Sequence, residues 1–103
     1  GMPAYKEEIF GPVAIVFNVS TEEEAIGIAN DTEFGLGAAV WSADITIAKR
    51  IAAQIRSGTV AINGGVRSEP RLPFGGTKKS GFGRELAELG LKEFANIKTI
   101  NVF

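Results

Sequence analysis

Short apolar runs alternating with capped amphipathic stretches constrain this chain most tightly, because that order admits few folds. Val13-Ala14-Ile15-Val16-Phe17, Ala38-Ala39-Val40-Trp41 and Thr59-Val60-Ala61-Ile62-Asn63 are strand-length and apolar almost throughout. Runs of four or five residues are too short for good helices, so strands are expected. After the first, Ser20-Thr21 precedes Glu22-Glu23-Glu24. A hydroxyl there can accept from the third helical amide while a carboxylate reaches back, and the acids suit the positive end of the helix dipole. Ala25, Ile28 and Ala29 give that helix an apolar side, and Asn30-Asp31 ends it. After the second run, Ser42 or Asp44 caps a helix with the stripe Ile45, Ala48, Ile51, Ala52 and Ile55. Arg50 and Arg56 lie toward its C-terminal end, where Gly58 is the expected left-handed stop.

Residues 64–83 hold six of the 13 glycines and two of the four prolines, so a long loop is expected there, of the kind that is usually functional. Residues 84–95 predict a third helix, with Leu86, Leu89 and Phe94 inward and Gly90 a weak point. Residues 98–103 alternate Thr99 and Asn101 against Ile100 and Val102, as a one-sided strand does. Residues 1–11 read as an irregular lead-in between Pro3 and Pro12. The order β-α-β-α-β, long Gly-rich loop, helix, strand predicts an α/β fold with a mainly parallel sheet.

Parallel strands that are apolar on both sides need cover on both faces. In a sheet wound in one direction, right-handed crossovers put the first two helices on the same face. The third helix and the loop are too little for the other. The chain is therefore expected to be a piece of something larger, or to bury that face against another chain.

Composition narrows the chemistry. The 103 residues include no Cys and no His, which removes the thiolate nucleophile, the disulfide, and the commonest general base and metal ligand. Neither a Ser-His-Asp nor a Cys-His mechanism can be assembled from this chain alone, and no metal site is expected. The length suits one domain, and 45% hydrophobic residues suit a folded one. No apolar run approaches the roughly 20 residues of a membrane span and no leader pattern is visible, so a soluble cytoplasmic location is expected.

Charge is asymmetric. Residues 1–50 carry three bases against eight acids, and residues 51–103 carry eight against four. Arg67, Arg71, Lys78, Lys79 and Arg84 cluster, opposed only by Glu69, a loop suited to an anionic small molecule or an acidic partner. Without a basic helix or interleaved aromatics, nucleic acid is not an expected partner.

Three motifs have competing readings. Gly75-Gly76-Thr77-Lys78-Lys79-Ser80-Gly81 fails the phosphate-loop spacing because Phe82 follows Gly81, and Gly81-Phe82-Gly83 lacks the third glycine of a dinucleotide fingerprint. Turn glycines explain both better. Glu7 and Glu8, ahead of Ile9-Phe10-Gly11-Pro12, are either solvated surface or carboxylates for the vicinal hydroxyls of a ribose, with Phe10 as an apolar wall. In Arg67-Ser68-Glu69-Pro70-Arg71, the loop is solvated, or Glu69 pairs with an arginine, or Arg67 and Ser68 bind a small carboxylate.

Glu7-Glu8-Ile9-Phe10-Gly11-Pro12 and Pro73-Phe74-Gly75-Gly76-Thr77-Lys78-Lys79-Ser80-Gly81-Phe82-Gly83-Arg84-Glu85 resemble the C-terminal part of an NAD(P)-dependent aldehyde dehydrogenase. Ala29-Asn30-Asp31-Thr32-Glu33-Phe34-Gly35-Leu36 and Gly58-Thr59-Val60-Ala61-Ile62-Asn63 fit the same family in the same order. The resemblance implies residues 1–97 as the C-terminal part of the catalytic domain and 98–103 as an oligomerisation strand that joins a neighbouring subunit, giving a homo-oligomer. It implies that Glu8 holds the nicotinamide ribose of NAD or NADP, with Phe10 packed nearby. Phe74 would line the substrate tunnel, and Asn63 would begin the loop at its mouth.

Within the family the likeness is greatest to succinate-semialdehyde dehydrogenases. Ser68 matches a hydroxyl that helps hold the substrate's distal carboxylate, with Arg67 as a helper. In such enzymes a thiolate adds to the aldehyde, hydride passes to NAD(P)+, and water hydrolyses the thioester. The nucleophilic Cys and general-base Glu belong to the preceding part of the enzyme, so this chain alone is expected to be inactive. The alternative is a non-catalytic binding or assembly module that kept the fold and the pairing strand. A small acid/base catalyst using Glu7 or Glu8 lacks a visible partner group.

Overall fold

The structure is a computed structural model that describes residues 2–103; Gly1, the first residue of the expected lead-in, lies outside them. Helix α1 (Glu22–Asn30) starts as its capping pattern predicts. The Glu24 amide donates to Thr21 Oγ1 at 3.1 Å, and the Ser20 amide donates to Glu24 Oε2 at 2.9 Å. Strands β1 (Phe34–Gly35) and β2 (Gly37–Val40) follow, then helix α2 (Ile45–Ala52). Asp44 is the cap of α2, accepting from the Thr46 and Ile47 amides at 2.8 and 3.2 Å, a contact worth about 1 kcal/mol. Ser42 plays the supporting part, its Oγ accepting from the Asp44 amide at 3.1 Å.

Strand β3 (Thr59–Ile62) pairs in parallel with β2, from Gly37 opposite Thr59 to Val40 opposite Ile62. The β2-α2-β3 unit is thus the parallel strand-helix-strand element that the apolar runs predict. Helix α2 packs on this pair through Ala48, which is fully buried.

Other expectations need correction. Residues 13–17 form no strand, and Val16 is 89% exposed. A strand exists only where another backbone offers partners in register, and none of the described residues does so for this run. Residues 98–103 are likewise without secondary structure and exposed. The expected mainly parallel sheet is therefore represented by one parallel pair, beside a second, antiparallel one. That second pair lies partly in the expected loop: β4 (Thr77–Lys78) pairs with β1, Phe34 opposite Lys78.

Gly58 is not the left-handed stop of α2. The helix ends at Ala52, and its last turn tightens as the Gln54 and Ile55 amides bond the carbonyls three residues back. Gly58 is needed because two backbones cross there: a Cβ on it would lie 1.7 Å from the Gly75 carbonyl oxygen. Helix α3 (Ala87–Glu93) begins three residues later than expected. The Glu85 amide and carbonyl are already bonded to Phe74, at 2.7 and 2.9 Å, which withholds them from a helix.

Among the described residues only Gly35, Ala48, Gly76 and Gly90 are buried, so no side chain larger than a methyl is sealed from solvent there. The radius of gyration is 17.4 Å, where a self-contained domain of this length has about 13 Å. The accessible surface is 8294 Å², against about 5,600 Å² for such a domain. Phe10, Phe82, Phe94, Ile97 and Phe103 are each more than four-fifths exposed. This open slab of 62 × 34 × 27 Å accords with a chain that lacks part of its cover.

Candidate functional site

Residues 2–8 are laid against the C-terminal end of α1. Pro3 opens a 3-10 turn (Pro3–Tyr5), which directs Tyr5 and Lys6 to one carboxylate oxygen of Asp31. The Tyr5 hydroxyl donates to Asp31 Oδ2, and Lys6 Nζ donates to the same oxygen at 2.8 Å. Lys6 Nζ also stands 4.7 Å from the centre of the Tyr5 ring, which meets Phe17 edge-on at 5.6 Å. The hydrogen bond from Lys6, and then that from Tyr5, hold the Asp31 carboxyl below its ordinary pKa. The same hydrogen bond raises the Tyr5 phenol.

From this anchor the chain runs into Glu7 and Glu8, which form one wall of an open cleft of about 610 Å³. Thr32, Phe34, Leu36, Lys79 and Ser80 are also among the residues that line it. The Gly35 amide donates to Ser80 Oγ at 2.9 Å, fixing β1 to the turn after β4. Lys79 pairs with Glu33 and lowers the pKa of that carboxyl. Glu8 makes no side-chain hydrogen bond among the described residues, so both of its oxygens can accept from a ligand.

A second cleft of about 270 Å³ is lined by Phe74, Gly75, Arg84 and Glu85 and shares Leu36 and Ser80 with the first. Glu8 and Phe74, 66 positions apart, therefore stand on adjoining clefts. Arg84 Nη1 donates to the Gly76 and Gly83 carbonyls at 2.7 and 2.6 Å and holds the Gly-rich turn closed. Phe10 is 92% exposed and lines neither cleft.

Asn63, Arg67 and Ser68 lie outside both clefts. Asn63 sits at the carboxyl end of the parallel pair, the edge where open α/β sheets bind ligands. It adopts φ 53°, and its amide accepts from the Ser42 N–H and donates to the Ser42 carbonyl, both at 2.9 Å. Arg67 and Ser68 are exposed on the loop beyond, with no side-chain hydrogen bond among the described residues. Glu69 is paired with Arg71 at 2.6 Å, and that contact lowers the Glu69 pKa.

The basic loop is mostly satisfied from within, which corrects the expectation of an anion-seeking cluster. Lys78 Nζ donates to the Asn30 and Thr32 carbonyls at 3.0 and 2.9 Å, capping the last turn of α1. Lys79 serves Glu33, Arg71 serves Glu69, and Arg84 serves two carbonyls. Of the five cations between 67 and 84, Arg67 alone is left without such a contact among the described residues. Asp31 and Lys78 carry no local signal in the sequence, because their partners lie 25 to 48 positions away.

Among the described residues no group of three or more His, Cys, Asp or Glu could hold a metal ion, and no helix is long and apolar enough to cross a membrane. The parallel strand-helix-strand unit, the antiparallel ribbon and the two adjoining clefts define an α/β fold whose apolar faces lack cover among the described residues. The chain belongs to the aldehyde dehydrogenase family, whose pattern it matches over residues 1–100.

It is 51% identical over 98 residues to a probable NADP+ succinate-semialdehyde dehydrogenase of Synechocystis, covering 95% of this chain and 22% of that protein. The crystal structure of succinic semialdehyde dehydrogenase from Streptococcus pyogenes, in complex with NADP+, superposes with a TM-score of 0.91 at 51% identity. That match covers 97% of this chain and 22% of the other. An apo betaine aldehyde dehydrogenase variant from Staphylococcus aureus superposes with a TM-score of 0.86 at 47% identity, over 90% of this chain and 19% of the other. The chain spans about a fifth of the length of the relatives it matches.

Proposed function

We propose that this chain is the C-terminal catalytic-domain segment, residues 1–97, of an NAD(P)-dependent aldehyde dehydrogenase, with 98–103 as a strand that pairs with a neighbouring subunit. The whole enzyme would oxidise succinate semialdehyde to the dicarboxylic acid in the cytoplasm. The observation that carries this reading is the adjacency of the Glu8 and Phe74 clefts, a carboxylate for ribose hydroxyls beside an aromatic wall for an aldehyde. The substrate and a preference for NADP+ are supported by the relatives named for both. The similarity to dehydrogenases across almost all of the chain favours this reading over a non-catalytic assembly module.

The residues present fit the cofactor, because Glu8 offers an acceptor with no internal partner at the wall of an open cleft. When bound, the nicotinamide supplies the hydride-accepting ring. Glu8 would hold the ribose hydroxyls through charge-assisted hydrogen bonds, and Phe10, which lines neither cleft in this chain alone, would pack beside them in the complete enzyme. Phe74 and Leu36 keep the aldehyde's surroundings apolar. Asn63 fixes the start of the outer loop, on which Ser68 and Arg67 meet the substrate's distal carboxylate. With no Cys in the chain, the bond-making thiolate must come from the rest of the enzyme.

The test is kinetic. In the complete enzyme, Glu8→Ala raises the cofactor KM about tenfold or more, the size of a lost hydrogen bond to a charged group. Ser68→Ala raises the succinate semialdehyde KM instead. An unchanged cofactor KM in Glu8→Ala would overturn the assignment, and aldehyde-dependent NAD(P)+ reduction by the pure 103-residue chain would overturn the division of labour.

A further inference from the structure

We propose that Asp31 is a positioning residue for the cofactor site, acting through Tyr5 and Lys6 on the Glu8 carboxylate; this rests on the reading of Glu8 given above. The segment that carries Glu8 has little else to hold it. Its backbone hydrogen bonds are internal to the 3-10 turn, with the Lys6 and Glu7 amides both returning to the Pro3 carbonyl. Residues 9–19 beyond it form no helix or strand. Among the described residues, the side-chain hydrogen bonds that tie residues 2–8 to the rest of the chain are those from Tyr5 and Lys6 to Asp31 Oδ2. Glu8 follows Lys6 by two positions, so the anchor confines the Glu8 backbone to within about 7 Å of the Lys6 backbone.

Asp31 is itself held from three sides, which makes it a fixed post. Its amide donates to the Ile28 carbonyl at 3.1 Å as the C-cap of α1. Its neighbour Asn30 donates from Nδ2 to the Gln54 carbonyl at 2.8 Å and accepts the Arg56 amide at 2.7 Å. Lys78 Nζ clamps the carbonyls on either side of it, those of Asn30 and Thr32. Thr32 also lines the Glu8 cleft. A pair this exposed adds little to stability, but it decides where an otherwise loose segment lies. Misplacing a binding group by about 1 Å is costly even when the fold is intact.

The experiment measures KM for the cofactor, KM for the aldehyde, kcat and thermal midpoint in the complete enzyme. Asp31→Ala raises the cofactor KM about fivefold to tenfold while the aldehyde KM stays within twofold, consistent with one or two lost hydrogen bonds. Asp31→Asn, which keeps an acceptor for Tyr5, recovers part of that loss. The double variant Tyr5→Phe/Lys6→Met reproduces Asp31→Ala, and adding Asp31→Ala to it changes nothing further, because all three act through one contact. A fall in kcat and thermal midpoint with the cofactor KM unchanged would show a purely structural role and overturn the proposal. If Glu8→Ala leaves the cofactor KM untouched, the reading of Glu8 fails; if Glu8→Ala raises it and Asp31→Ala does not, only the positioning role fails.

Discussion

Taken alone in solution, the 103-residue chain should not remain a monomer. Its accessible surface of 8294 Å² exceeds that of a self-contained domain of its length by about 2,700 Å². A standard interface removes only about 800 Å² from each partner, so one dimer contact would cover less than a third of the surplus. The exposed apolar groups are spread from Phe10 through Phe82 to Phe103, so different patches can meet in open-ended fashion. Sedimentation velocity across a range of concentrations should show a growing series of species rather than a single dimer. A dye that reports exposed apolar surface should bind strongly, and heating should give a broad transition. A single monomeric species at high concentration, with a sharp cooperative melt and weak dye binding, would refute the argument that the fold is incomplete without further cover.

Two glycines should respond in opposite directions to the same substitution in the complete protein. Gly58→Ala places a methyl 1.7 Å from the Gly75 carbonyl oxygen and should cost about 3 kcal/mol or more, seen as a large fall in thermal midpoint. Gly27→Ala lies within α1 with nothing within 4 Å and should stabilise by up to about 1 kcal/mol. Lys78→Met removes the cap on the Asn30 and Thr32 carbonyls and should cost about 1 kcal/mol in denaturant melts, while Arg67→Met should be nearly neutral. Asp31, Glu33 and Glu69 have depressed folded-state pKa values, so their contribution to stability is complete above the ordinary carboxylate range and is lost as pH falls through the lower folded values. Melts at decreasing pH should therefore lose midpoint only below about pH 4, and less steeply at high salt.

Features written in neighbouring residues were legible. Thr21 and Glu24 cap α1, Asp44 caps α2, and the apolar runs at 37–40 and 59–62 pair in parallel, because each depends on spacing within a few positions or on strand composition. The run at 13–17 has the composition of a strand but finds no partner among the described residues, and pairing is not a property of one segment. The bonding of Phe74 to Glu85 and the β1–β4 ribbon were hidden for the same reason, so the loop was expected to be plainer than it is. The roles proposed for Glu8 and Phe74 rest on family resemblance, while the adjacency of their clefts depends on Leu36 and Ser80 being shared between the two. Composition overstates the free charge of the cationic loop, because backbone carbonyls, invisible in composition, take up Lys78 and Arg84.

The crossing of Gly58 over Gly75, with Ala48 the one sealed hydrophobic side chain among the described residues, inverts the usual pattern of mutational tolerance. Inside this segment, adding a single carbon at a backbone crossing is more damaging than shaving a phenylalanine down to alanine. The large apolar residues matter only at the seams where the remaining polypeptide would press against them. A survey of variants on this chain alone would thus rank its exposed aromatics as dispensable, and the same survey on a complete enzyme would reverse that order.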